Sequence, residues 1–311
     1  MKRIILTLVA FLNLTAFAYA QEKDSSVAVG KNIITLSEVI ADKKLDVARF
    51  IERVKNDSSF YKAFKNLRIL GYTSLNDIRM LNKSGKAIAT LNSKTKQIRS
   101  NGCRRMEVIE ETHTGNMYDK DHQFNYYTAG MYASLFFTEG IVCGETNIVG
   151  SQPLNPAGKT GMEKRKEQLK MLFFNPGRRI KGLPFMSSKT EIFDEDMASA
   201  YNMEIDYGSR GGVNCFIFKQ SVKPGHEDDV VIDEMTTWFD DKTYEVRARD
   251  YHLSYDALLY DFDVTMEVEM GSINGLLVPV LLRYNGNWKA ITKKRERGIF
   301  TATLFDFNVG N

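Results

Sequence analysis

Between Asp263 and Met270 the chain alternates with a period of two. Val264, Met266, Val268 and Met270 are apolar, while Asp263, Thr265, Glu267 and Glu269 are polar. A helix of 3.6 residues per turn would scatter these four apolar side chains around its axis; a strand places them all on one buried face with the polar four on the wet one. The rest of the chain after Met203 also reads as strand and turn. Asn285-Gly286, lying between extended segments at 276–284 and 288–294, has the composition of a two-residue hairpin turn. Residues 230–239, 276–282 and 299–307 carry apolar side chains at both parities. A sheet apolar on both faces must be covered on both or curl around a dry interior.

The first half mixes two periods. Asn82-Lys83-Ser84-Gly85 separates extended stretches at 70–81 and 86–98 and reads as a hairpin turn in which glycine supplies a positive φ. Met106-Glu107-Val108-Ile109 is extended up to Thr114-Gly115-Asn116, and Phe137-Thr138-Glu139-Gly140-Ile141 is a tight connection. Thr35-Leu36-Ser37-Glu38 has the spacing of a capping box, predicting a helix whose apolar face is Val47, Phe50, Ile51 and Val54. Asp57-Ser58-Ser59 interrupts it and caps a second, short helix with Phe60, Phe64 and Leu67 on its face. Thr160-Gly161-Met162-Glu163 repeats the box and opens an amphipathic helix carrying Met162, Leu169, Leu172 and Phe173, which Asn175-Pro176-Gly177 ends. A short helix is expected around 197–201. No repeat and no interdomain linker is present. The fold class that follows is α+β: one curved antiparallel sheet, an unclosed half-barrel, with helices covering its concave side.

The first twenty residues read differently. Lys2 and Arg3 precede an apolar run at 4–18, and Ala18-Tyr19-Ala20 is a small-x-small cleavage site, the three regions of a secretory signal peptide in order. Asn13 interrupts the run, which is shorter than the ~20 residues that span a bilayer. The expected organisation is therefore a signal peptide at 1–20, a polar leader at 21–34 and one domain at 35–311, periplasmic or otherwise exported. Loss of Lys2 and Arg3 takes the net charge from +3 to +1. So balanced a chain lacks the concentrated basic surface that nucleic acid demands. The three cysteines, Cys103, Cys143 and Cys215, make one disulfide and one buried thiol in an oxidising compartment. All three pairings are open on the sequence, and Cys103 with Cys143 is the candidate pair.

Chemistry leaves few traces. His113 and His122 flank Asp119-Lys120-Asp121 and could join Cys143 as a nucleophile and base, the signature of a cysteine hydrolase. An oxidised Cys143 and two loop histidines account for the same residues. His226-Glu227-Asp228-Asp229 follows Pro224-Gly225, lacks the HExxH spacing and reads as a solvated turn. Gly208-Ser209-Arg210-Gly211-Gly212 and Gly158-Lys159-Thr160 each lack the remainder of a phosphate-binding loop. Asp194-Glu195-Asp196 suits a hard cation or, equally, a helix N-terminus. No catalytic residue, metal or cofactor is assigned.

Apolar surface is what stands out. FNYYTAGMYASLFF, residues 124–137, holds six aromatic side chains in a chain that is 11% aromatic, and thirteen methionines accompany them. The stretch reads as strand, with a helical turn at 129–137 as the alternative. Tyr126, Tyr127, Tyr132, Phe136, Phe137, Leu172, Phe173, Phe174 and Phe185 are the candidate lining of an apolar ligand site, and the same residues would serve as ordinary core.

From residue 201 onward the order of elements resembles the LolA-like superfamily of periplasmic lipoprotein carriers. The residues that carry the resemblance are Val231-Ile232-Asp233-Glu234-Met235-Thr236-Thr237-Trp238-Phe239-Asp240, a strand ending in Trp-x-Asp before Lys242-Thr243-Tyr244, followed by the alternating strand at 259–270 and the Gly-Leu-Leu-Val-Pro-Val strand. The resemblance covers about a third of the chain. It implies an unclosed antiparallel barrel with helices in its mouth that binds an acyl or other lipid-like ligand and performs no reaction. The alternative partner is an envelope protein, with the chain acting as an exported interaction module.

Overall fold

The computed structural model describes residues 25–43, 45–149, 172–180, 186, 188–257, 260–290 and 294–310. Its strands are β1 (Ser25–Val29), β2 (Asn32–Leu36), β3 (Gly71–Leu81), β4 (Ala87–Ser100), β5 (Cys103–Thr114), β6 (Ile141–Cys143), β7 (Tyr201–Arg210), β8 (Val213–Val222), β9 (Ile232–Asp240), β10 (Val246–Ala257), β11 (Tyr260–Ile273), β12 (Leu276–Ala290) and β13 (Glu296–Asn308). All thirteen form one sheet, ordered β1-β2-β7-β8-β9-β10-β11-β12-β13-β3-β4-β5-β6. Neighbours are antiparallel except β2 and β7, which run parallel. The end strands β1 and β6 do not pair, so the sheet stays open: the half-barrel expected from the alternation.

The chain reaches β3 from β2 by crossing the inner face, and that crossing carries helices α1 (Glu38–Lys43), α2 (Val47–Asn56) and α3 (Ser59–Asn66). In α2, Val47, Phe50, Ile51 and Val54 fall on one side and are all buried. Phe50 packs edge-on against Phe216, Phe218 and Phe239, with ring centroids 5.8, 6.1 and 5.6 Å away. Asp46 caps the helix by accepting from the Arg49 N–H at 3.0 Å. Burying a ring of this size is worth ~1.5–3 kcal/mol, which ties α2 to β8 and β9. α3 buries Phe60, Ala63 and Phe64 in the same way. Helix α4 (Tyr127–Phe136) lies further along the face over β12 and β13, and the short α5 (Glu195–Ala198) begins at Asp194, whose carboxylate accepts from the Asp196 N–H. A helix N-terminus thus explains the acidic patch.

Several expectations give way to tertiary context. Asn285-Gly286 is not a turn: both residues lie inside β12, Gly286 pairing with Val264 on one side and Gly298 on the other. A Cβ on Gly286 would collide with the Tyr284 ring and hydroxyl. The glycine makes room for a tyrosine side chain folded back across it. The turns are made instead by Asn101-Gly102 and Asn274-Gly275, where both residues have positive φ, the requirement of a two-residue hairpin of the right twist. The Thr35-Glu38 capping box also fails, because Thr35 and Leu36 are taken into β2 by parallel pairing with Glu204 and Ile205. α1 therefore begins after Ser37, and a separate helix begins at Val47. Residues 127–136 form a helix rather than a strand. Apolar side chains at both parities of 230–239 reflect a register shift opposite His252 and Leu253, after which the buried residue changes from Ile232 to Met235, Thr237 and Phe239.

The hairpin at Asn82–Gly85 and the strand extending to Thr114 are as the sequence predicts. The signal peptide, the body of the helix begun at Thr160, Gly158-Lys159-Thr160 and Phe185 lie outside the described residues. Among the described residues no helix is long and apolar enough to cross a membrane.

Candidate functional site

The aromatic stretch becomes α4, and the way it is held decides where its rings point. Tyr126, at its N-cap, offers no side-chain cap. Glu296, at the start of β13, supplies one from across the sheet: its carboxylate accepts from the Tyr127 N–H at 3.1 Å, the Thr128 N–H at 2.8 Å and the Thr128 hydroxyl at 2.7 Å. Negative charge at a helix N-terminus satisfies amides that lack an intrahelical partner. Anchored there, α4 turns Thr128, Ala129, Met131 and Tyr132 into the interior.

Tyr132 stacks on Phe300 of β13 at 5.4 Å and meets Tyr284 of β12 edge-on at 4.6 Å. One turn later Phe136 stacks on Phe300 at 4.9 Å and touches Phe174 at 5.8 Å. Phe174 leads to Phe64 of α3 at 4.4 Å, and Phe173 to Tyr284 and Trp288 at 5.7 and 6.1 Å. Leu172 and Met186 are fully buried in the same core. Segments at 127–136 and 172–174, remote in sequence, therefore meet on β12 and β13 in one aromatic body.

Of the candidate lining residues, Tyr132, Phe136, Leu172, Phe173 and Phe174 are brought together. Tyr126 packs against the edge of the core while donating its hydroxyl to Asn116 Oδ1 at 2.6 Å, and Tyr127 and Phe137 are half-buried at the two ends of α4. The residues that sequence reading missed are Tyr284, Trp288, Phe300 and Glu296. A hairpin placed at 285–286 hid the first two, since it put Tyr284 and Trp288 on opposite strands rather than on one face of one strand.

This interior is electrically quiet. Burial raises the hydroxyl pKa of Tyr132, Tyr251 and Tyr284 well above the ordinary value, so all three stay neutral. Tyr251 donates to the Phe173 carbonyl. One charged side chain breaks the pattern: Arg249 of β10 is 7% exposed, donates its Nε–H to Thr237 Oγ1 at 3.0 Å and lies 4.4 Å above the Phe60 ring.

One end of the interior is polar. Gln97 donates to the carbonyls of Leu67 and Leu70 and accepts from Thr138 and Arg104. Ser74, Asn76, Ser93 and Thr95 form a buried hydrogen-bonded group nearby on β3 and β4. On the outer side of these strands an open cleft of about 340 Å³ is lined by Leu75, Asp77, Asn92, Lys94, Glu110 and Thr301 among others.

Cys103 and Cys143 are disulfide-bonded across β5 and β6. That pairing overturns the hydrolase alternative, which needs a free thiol at Cys143. His113 is also remote, ten residues further along β5, or about 33 Å at strand rise. His122 stacks on Tyr118 at 4.1 Å. Cys215 is a buried thiol whose pKa burial raises. His226 pairs with Asp229 at 3.0 Å in an exposed turn, and Gly211-Gly212 forms the turn between β7 and β8. Among the described residues, no three His, Cys, Asp or Glu side chains are grouped to hold a metal ion.

No family model matches the sequence, and no curated protein does. Several solved structures match. A DUF1329 family protein from Desulfovibrio piger is 12% identical, covering 84% of this chain and 90% of its own, with a TM-score of 0.25. A putative outer membrane lipoprotein-sorting protein domain from Vibrio parahaemolyticus is 11% identical over 86% and 92%, with a TM-score of 0.28. A LolA superfamily protein from Nitrosomonas europaea is 11% identical over 82% and 93%, with a TM-score of 0.26.

Proposed function

We propose that the chain is an exported, non-enzymatic carrier or sensor of an apolar, acyl-type ligand held inside the half-barrel. The observation that carries this reading is the single continuous aromatic body formed where α3, α4 and the helical residues 172–174 meet β10, β12 and β13. A sheet that closed on itself would seal such an interior; this one is open and is covered by short helices. α4 depends for its N-terminal cap on one glutamate from another element. Helices held this lightly are the parts a ligand can displace, since local openings draw on the least stable segments. Methionines along the wall, Met235, Met266 and Met270, offer side chains that repack around differing shapes.

Export is supported by the signal-like residues 1–20 and by the disulfide, which persists in oxidising compartments. The periplasm is the compartment this reading assigns.

The test is a titration of delipidated protein with N-phenyl-1-naphthylamine, whose fluorescence rises in an apolar site. The expected result is saturable binding that a long-chain fatty acid competes away and that Phe136→Asp weakens. Folded protein showing no saturable signal would end the carrier reading.

A further inference from the structure

A guanidinium in an apolar interior is costly unless a counter-charge meets it. Arg249 is more than nine-tenths buried, on the inner wall between Thr237 of β9 and Val268 of β11. Among the described residues it forms no ion pair, and its hydrogen bond, from Nε, goes to the neutral Thr237 hydroxyl. The Phe60 ring covers its face. Burial disfavours its charge most; Asp57 and the Tyr251 hydroxyl favour the cation, and Arg178 opposes it. Asp57 spends Oδ1 on the Ser59 N–H at 3.1 Å, and its Oδ2 is buried with no hydrogen-bond partner. Arg178 donates to the Asp57 main-chain carbonyl at 2.9 Å. Two cations and one anion thus meet beside the aromatic body, a group whose formal charges sum to about +1.

We infer that Arg249 receives the anionic head group of the apolar ligand, a carboxylate or phosphate on an acyl chain whose tail lies along Phe60, Phe64 and Phe174. This rests on the carrier reading and specifies its ligand class. A planar fork of N–H donors matches either oxyanion in bidentate fashion. Arg178 adds a second positive charge at the same place, and Asp57 is the internal anion that the ligand's own charge supplants.

The experiment compares three ligands of one chain length by displacement of the naphthylamine probe at about pH 8, where the fatty acid is ionised. They are oleic acid, its methyl ester and oleoyl lysophosphatidate. The expected result is that at least one anionic ligand binds roughly 10- to 100-fold tighter than the ester, the scale of a charge-assisted hydrogen bond. The stronger anion identifies the head group. Arg249→Gln removes that advantage while ester binding persists, and Arg249→Lys, which keeps the charge but not the fork, retains only part of it. Equal binding of all three ligands overturns the inference and leaves the carrier reading intact. An anion preference that survives in Arg249→Gln overturns the assignment to Arg249. No probe binding at all overturns the carrier reading and this inference with it. Circular dichroism confirms that each variant is folded, and if Arg249→Gln is not, the wild-type comparison and Arg249→Lys decide.

Discussion

Replacing Glu296 by alanine removes the side chain that caps the α4 N-terminus among the described residues, and the structure sets the size of the effect. Three acceptor contacts vanish, two of them to backbone amides that have no intrahelical partner. Losing an N-cap costs ~0.5–2 kcal/mol, and losing hydrogen bonds to a charged acceptor ~1.5–3 kcal/mol. The site is half-buried, so solvent takes over part of the role, and about 2 kcal/mol is expected for Glu296→Ala. Glu296→Gln keeps one carbonyl acceptor without the charge and should lose about half as much. In a domain of this size, ~2 kcal/mol lowers the melting temperature by roughly 4–8 °C. Thermal and urea denaturation measure it, with the urea slope unchanged because the surface exposed on unfolding is the same. The carrier reading adds a second readout: since α4 covers Tyr284 and Phe300, loosening its cap should accelerate uptake of the naphthylamine probe. A Glu296→Ala protein within about 0.3 kcal/mol of wild type, with unchanged uptake, would refute the role assigned to this carboxylate.

Further predictions rest on other elements. Burial alone would raise the pKa of Asp240, but the Thr243 N–H, the Arg247 guanidinium and the Lys242 N–H outweigh it and hold the carboxyl at about 2. Because the folded value lies below the unfolded one, the stabilisation is fully present above about pH 4 and is lost as pH falls through about 2. Asp240→Asn should remove ~1–2 kcal/mol of stability at neutral pH and flatten that acid loss, both read from urea melts across pH. An unchanged acid profile would contradict the linkage. Gly286→Ala forces a methyl against the Tyr284 ring and should cost ~1–3 kcal/mol, with loss of near-ultraviolet dichroism from the displaced aromatic cluster; a neutral effect would restore the turn reading. Reducing the Cys103–Cys143 bond, which closes a loop of 40 residues, should cost ~2–4 kcal/mol in urea. A negligible effect would mean that β6 holds its place without the bond.

What the sequence made legible follows from how local each signal is. The alternation at 263–270 depends only on which face is buried, and it led directly to an open sheet with covered inner positions. The apolar faces of α2 and α3 were visible because each helix has a wet side. α4 carries no charged residue on its outer side, where Gly130, Ala133 and Ser134 lie, so no polar stripe announced its period and its tyrosines and phenylalanines read as strand. Asn-Gly occurs three times, at 101, 274 and 285. Only the first two need positive φ, and what separates the third is the side chain of Tyr284, which no dipeptide rule contains. Thr35 lost its capping role to pairing with Glu204, far along the chain. The candidate lining was half legible for the same reason: the aromatic residues of α4 and 172–174 stand in clusters, whereas Tyr284, Trp288, Phe300 and Arg249 are scattered singly along strands and become a site only through register.

The central claim is that the interior formed by α4, the helical residues 172–174 and β12–β13 holds an acyl ligand. Native mass spectrometry of the mature protein purified from a bacterial periplasm, followed by organic extraction, tests it most directly. Bound mass that extracts as lipid, and that falls when Phe136 is replaced by Asp, is the predicted result. A bare chain at its calculated mass, still bare after incubation with periplasmic lipid, would contradict the claim and make the aromatic body a core alone.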